Sequence, residues 1–345
     1  MRIAVVALLT AVLIAQEKPL RTTTRLVVAP VSVTDRQGRP IESLNASDLV
    51  VYDNDVAVPA QVEDVLQPLS LAVVIQATGS AQSSLDKLRK ETSLLGPLLI
   101  GDRGEAAVIA FAREVRVLQE FTGNVEKVES AIRELDAFGD GGSLVDAIAT
   151  SMRMLERRPA SRRRAILLIS ETHDRGSAES LEALVKMAER VNATLYALTF
   201  SPLKSKLANR APVHCDYPER PCRRCTCGNC AKHCDRADPE KPVPSNIESS
   251  GGLLSIFVEL KRKTQPDVPR ALAALSGGAT WEFLRKSGLE AALQRIGEDL
   301  HHHYTVTFPM ARTQPGSFHK IRVEVRGRRN AVTRTRSGYY ELADE

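Results

Sequence analysis

Two hydrophobic rhythms divide the chain. From Arg25 to Val65 apolar residues recur in strand fashion, at Leu26-Val27-Val28, Val31-Ser32-Val33 and Leu49-Val50-Val51-Tyr52. Turn-forming residues separate them, Asp35 to Pro40 and Asp53-Asn54-Asp55, which predicts a small antiparallel β region. At Leu69 the pattern changes. Leu69 to Ile75 is an apolar run of strand length without alternation, the signature of a strand covered on both faces. Helical spacing follows over Leu85–Leu99, then two strands, Glu105–Phe111 and Arg116–Phe121. Asn124 is placed to cap a helix running to Leu135. A helix over Leu144–Glu156, a strand over Ala165–Ser170, a helix over Leu181–Val191 and a strand over Thr194–Thr199 continue the alternation. The rhythm lapses between Pro202 and Gln265. It returns with a helix over Val268–Leu275 stopped by Gly277-Gly278, a strand over Ala279–Leu284 and a helix over Leu289–His303. Period-two segments close the chain at Tyr304–Phe308, His319–Val325 and Ala331–Arg334.

These patterns predict an α/β fold with a doubly wound, mostly parallel sheet, inserted in a small β-sandwich module. The expected divisions are residues 1–15 as a signal peptide, 22–66 as the N-terminal β region and 67–201 as the α/β domain. A cysteine-rich insertion follows over 202–265, the α/β domain resumes over 266–303, and residues 304–342 supply β strands that pair with the N-terminal region.

The 345 residues are 43% hydrophobic and 26% charged, an ordinary globular balance. Aromatic residues make up only 4%, which argues against a stacking platform for nucleic acid. The formal charge is +5, with arginines concentrated at 157, 158, 162, 163 and 164 and at 326, 328, 329, 334 and 336. Their expected setting is a solvated helix end and a solvated edge strand. At the N-terminus, Arg2 followed by the short apolar core Ile3–Ala15 reads as an export signal, too short to span a bilayer. No nucleic-acid partner and no membrane span beyond the signal are expected, and the mature protein is expected in the periplasm or outside the cell.

Parallel sheets bind ligands beyond the carboxyl ends of their strands, where Leu69–Ile75 runs into Gln76-Ala77-Thr78-Gly79-Ser80. This loop resembles the Asp-x-Ser-x-Ser motif of von Willebrand factor A (VWA) domains. Val33 to Pro40, Leu44 to Tyr52, Gly142 to Ala147, Leu168 to Asp174, Gly277-Gly278 and Arg336 to Tyr339 extend the likeness to VWA-related proteins abundant in acidobacteria. The resemblance implies a metal-ion-dependent adhesion site, in which hydroxyls and carboxylates of three loops hold Mg²⁺ or Mn²⁺ and a protein partner's carboxylate completes the sphere. Thr78, Ser80, Ser143 and Glu171 occupy positions that keep an oxygen, while Gln76 stands at the position of the lost aspartate. The expected function is therefore that of an exported, non-enzymatic interaction protein with a degenerate adhesion site. A metal-dependent hydrolase using Glu171, His173 and Asp174 is the alternative, as is a zinc-stapled module that binds an anionic polymer through its arginines.

All 6 cysteines, Cys215, Cys222, Cys225, Cys227, Cys230 and Cys234, fall in one segment. Cys222-x-x-Cys225 and Cys227-x-x-Cys230 have the spacing of thiolate metal sites. An oxidising compartment instead favours disulfides. Disulfides, Zn²⁺ and an iron–sulfur cluster all remain open from sequence. His301-His302-His303 cannot converge on one ion from a helix, because consecutive residues point apart. No Gly-x-Ser-x-Gly elbow is present.

Overall fold

A computed structural model describes residues 25–63, 67–201, 267–311, 314, 316–328 and 330–341. The expected signal peptide and the six cysteines lie outside the described residues. The chain enters through β1 (Leu26–Thr34), β2 (Leu49–Asp53), β3 (Val56–Val58) and β4 (Gln61–Glu63). It then builds a six-stranded sheet from β5 (Leu69–Gln76), β6 (Glu105–Phe111), β7 (Val115–Thr122), β8 (Arg163–Ser170), β9 (Thr194–Thr199) and β10 (Thr280–Glu282). Six helices accompany this sheet among the described residues: α1 (Gln82–Lys90), α2 (Val125–Arg133), α3 (Leu144–Glu156), α4 (Leu181–Val191), α5 (Val268–Ser276) and α6 (Lys286–His301). The last strands are β11 (Tyr304–Pro309), β12 (Phe318–Val325), β13 (Val332–Thr335) and β14 (Gly338–Tyr340).

The six-stranded sheet has the order β10-β9-β8-β5-β6-β7. All neighbours are parallel except the edge hairpin β6–β7. Every residue of β5 is buried, and its two faces feed different cores. Leu69, Leu71, Val73 and Ile75 pack with residues of α1, α2 and α6, whereas Ala72 and Val74 pack with α3, α4 and α5. The unbroken apolar run therefore reflects helices on both sides. Asn124 caps α2 by accepting from Lys127 N at 3.1 Å, as its position predicts.

The helix expected over Leu85–Leu99 is shorter and starts earlier. It ends at Lys90, and the chain winds through tighter and wider turns to Ile100. Pro97 has no N–H to continue an α-helical ladder, and Gly96 disfavours it further.

Two antiparallel four-stranded sheets, β13-β1-β11-β4 and β14-β12-β2-β3, form a sandwich. The pairs β1–β11, β1–β13 and β2–β12 join the beginning of the chain to its end. Alternate residues Val27, Ala29, Val31 and Val33 of β1 meet Val306 and Phe308 of β11 and Val51, Ile321 and Val323 of the facing sheet in one core.

The arginine clusters depart most from expectation. Arg157, Arg326 and Arg328 are exposed, but Arg163 and Arg336 are buried. Arg158, Arg162 and Arg164 bond within the α/β unit, and Arg334 bridges the two units. Asp299 of α6 accepts from Arg334 of β13 at 2.6 Å, from Tyr196 of β9 at 2.5 Å and from Ser32 of β1. Arg163 of β8 donates to Leu300 O at 2.6 Å and to Tyr196 Oη at 3.1 Å, and lies 2.6 Å from His303 Nδ1. Buried arginines are retained where partners satisfy them, and the junction supplies carbonyls and a carboxylate. His301 meets Leu98 O and His302 meets Glu42, so the three consecutive histidines have three separate partners.

Candidate functional site

Strand order places the site. β5 leads through α1 to β6 on one side, and β8 leads through α4 to β9 on the other. The direction of winding thus reverses between β5 and β8, leaving a crevice beyond their carboxyl ends. Gln76 ends β5, and Glu171 follows β8 directly.

The loops at this rim are stitched together by backbone. Gly79 N donates to Gly139 O at 3.3 Å and Phe138 N to Ala77 O at 3.0 Å. Arg175 N donates to Gly142 O at 2.8 Å, and Ser143 N to Ala112 O at 2.8 Å.

Within this frame the side chains form a one-way hydrogen-bond chain. Glu171 N donates to Gln76 Oε1 at 2.8 Å, which fixes the amide and leaves its N–H₂ for Thr78 Oγ1 at 3.0 Å. Ser80 Oγ gives its single proton to Glu171 Oε1 at 2.8 Å. Ser80 must therefore accept from Thr78, whose Oγ1 is 3.0 Å away. Glu171 Oε2 faces the Arg175 guanidinium at 3.2 Å. Gln76, Thr78 and Glu171 are buried, while Ser80 and Arg175 reach the surface.

Ser143 stands apart from this chain. It precedes α3, and its Oγ donates to Arg113 O at 2.8 Å. Asp174 is committed to helix capping. Its Oδ1 accepts from Val145 N in the first turn of α3 at 3.0 Å and from Ser177 Oγ at 2.5 Å. His173 is partly exposed on the same loop. Among the described residues no group of three or more His, Cys, Asp or Glu side chains is placed to hold a metal ion.

The hydroxyls and Glu171 do not fit a hard divalent cation as they stand. Mg²⁺ relies on one or two carboxylates in tight octahedral geometry. Among the hydrogen-bonded rim side chains Glu171 supplies the one carboxylate, and a guanidinium already stands against it. The exposed Asp140 carboxylate lies near Gly79 outside that chain. Gln76 also does what an aspartate cannot, donating to Thr78 while accepting from Glu171 N. Arg175 was missed in sequence reasoning. Its only signal was its place four residues after Glu171.

A parallel sheet wound in both directions, with a hydroxyl-bearing rim at the reversal, defines an α/β module that binds through its strand-end loops. Residues 72–173, which include Gln76, Thr78, Ser80, Ser143 and Glu171, match the family model of the von Willebrand factor type A domain. The α/β unit thus carries a domain of this type, which commonly mediates protein–protein interaction.

Solved structures resemble the chain at low identity. A von Willebrand factor type A protein from Catenulispora acidiphila is similar at 9% identity over 94% of this chain and 76% of that one, with a TM-score of 0.45. BatB from Bacteroides thetaiotaomicron is similar at 13% identity over 67% of this chain and 98% of that one, with a TM-score of 0.40. The vWF domain of the pilus tip protein Mfa5 from Porphyromonas gingivalis is similar at 16% identity, with a TM-score of 0.28. That match covers 32% of this chain and 40% of the Mfa5 chain. No curated protein matches the chain.

Proposed function

We propose that this chain is an exported, non-enzymatic interaction protein whose VWA rim docks a protein partner without a bridging metal ion. The observation that carries the reading is the closed chain Gln76–Thr78–Ser80–Glu171, ended by Arg175. The guanidinium stands beside the Glu171 carboxylate and reaches the surface, so positive charge that would meet a partner's carboxylate is built into the protein. Arg113, exposed on the neighbouring loop, adds a second cation to this surface. Export is supported by the Arg2–Ala15 pattern. Among the described residues no helix is long and apolar enough to cross a membrane.

A thermal melt in EDTA, Mg²⁺ and Mn²⁺ tests the ion-free rim. The wild type should melt at one temperature in all three. A saturable gain approaching about 2.7 kcal/mol at a hundredfold excess over the dissociation constant would overturn the reading. The double variant Gln76→Asp/Arg175→Ala should acquire a Mn²⁺-dependent shift, because it restores one negative charge and removes the resident cation. Docking is read by site-specific photo-crosslinking from position 80 in the native envelope. A captured partner should be lost in Arg175→Glu, and capture unchanged by that variant would place the docking surface elsewhere.

A further inference from the structure

A second site lies at the opposite end of the sheet. Between the amino ends of its strands and the sandwich sheet β13-β1-β11-β4 runs a cleft of about 400 Å³, the size range of small-molecule sites. Its walls include Arg162, Arg163, Arg164 and Thr194 from the α/β unit and Thr305 and Thr307 from β11.

The charges of this cleft do not cancel. Arg158 and Arg162 share Glu105. Arg334 takes Asp299, leaving Arg163 with carbonyls, His303 and Tyr196. Arg164 donates only to the carbonyls of Val191, Glu156 and Arg158. The acid on the wall is Glu63 of β4, which is exposed. Burial and the neighbouring Arg163 push His303 down to about 3, so it stays neutral and adds no charge of its own. The walls also hold unused donors. The Nε atoms of Arg163 and Arg164 are buried without a hydrogen-bond partner. Thr194 and Thr305 are 3% and 6% exposed and line the same cleft. A polar group kept this dry without a partner costs free energy, and an oxygen-rich anion would satisfy donors and charge together.

We infer that this interdomain cleft binds a small molecule bearing an oxyanion, a phosphate or a carboxylate, against Arg162 and Arg164, with the threonine hydroxyls meeting its remaining oxygens. Guanidinium groups bind both anions through charge-assisted hydrogen bonds. Because the walls come from both units, an occupant would also tie the sandwich to the α/β sheet.

Isothermal titration and thermal melts of the whole protein with inorganic phosphate, citrate, and sodium chloride at matched ionic strength test this. Phosphate or citrate should raise the melting temperature saturably, and chloride should not. The stronger of the two identifies the preferred oxyanion. Arg164→Gln should weaken that binding at least tenfold. The near-isosteric Thr305→Val keeps the strand and should weaken it severalfold, which preserves the test if Arg164→Gln does not fold. Equal responses to chloride, absence of a saturable response, or unchanged affinity in the variants would overturn the proposal.

Discussion

Removing the carboxylate of Asp299 should uncouple the two units. Asp299 is 6% exposed and receives Ser32 and Arg334 from the sandwich and Tyr196 from the sheet. Asp299→Ala leaves Arg334 without its counter-charge at the junction. Breaking one side of a buried ion pair costs about 3–5 kcal/mol, against a typical total of about 5–15 kcal/mol. Asp299→Asn keeps the shape and can still serve Ser32 and Tyr196, so its cost should be nearer that of one charged hydrogen bond, about 1.5–3 kcal/mol. Urea unfolding is the assay, followed by far-UV circular dichroism and by the fluorescence of Trp281, the chain's only tryptophan. Its ring stacks on Tyr196 with centroids 6.4 Å apart, next to the carboxylate. The two signals should change together in the wild type and separate in Asp299→Ala. The same residue sets an acid limit. Burial alone would raise its pKa, but Arg334, the hydrogen bonds from Ser32 and Tyr196, and Arg163 hold it below the usual carboxylate value. A lowered folded-state pKa gives stability that is present above the unfolded value, about 3.9, and lost as pH falls through the folded one. Wild type should therefore lose more stability than Asp299→Asn on acidification below about pH 4. A loss under about 1 kcal/mol in Asp299→Ala, with coincident signals, would refute the reasoning.

Glu189 carries the opposite sign. Burial raises its pKa to about 8 despite the pull of Arg336, so stability should decline as pH rises from its unfolded value near about 4.3 toward 8. Glu189→Gln should flatten that slope in urea midpoints measured across the range. Gly278→Ala would bring a methyl carbon to 1.8 Å from Leu195 O. It should cost about 3 kcal/mol or more by the same titration. Ser180 caps α4 by accepting from Ala183 N at 3.1 Å, and Ser180→Ala should cost about 1 kcal/mol, read as a lower melting temperature with the rim unchanged.

What was legible in the sequence was what local pattern controls. The run Leu69–Ile75 declared a strand with cover on both faces, Asn124 declared a cap, and Gly277-Gly278 declared the end of α5, where Gly277 has a φ of +78°. The rim residues were legible as a set of oxygens but not as a directed chain. The proton order depends on Glu171 N meeting Gln76, across 95 positions. The arginines were misjudged for a related reason. Composition records their charge, but whether Arg163 and Arg334 face water depends on Asp299, far away in sequence, arriving between them. The interruption after Lys90 was visible in Gly96-Pro97 and was outweighed by the apolar spacing around it.

The sandwich has a consequence for biosynthesis. β1 lies between β11 and β13, and β2 lies between β3 and β12, so β1 finds no ladder partner, and β2 none but the adjacent β3, until residues beyond Tyr304 have left the ribosome. Until then the first strands offer open hydrogen-bonding edges and apolar side chains to any passing polypeptide. Pairing across so long a separation is also slow. The α/β unit can collapse first from its own nearer contacts, bringing the two tails within reach. A chain cut short after α6 would keep that unit and leave β1 as sticky, unpaired ribbon and β2 with one open edge.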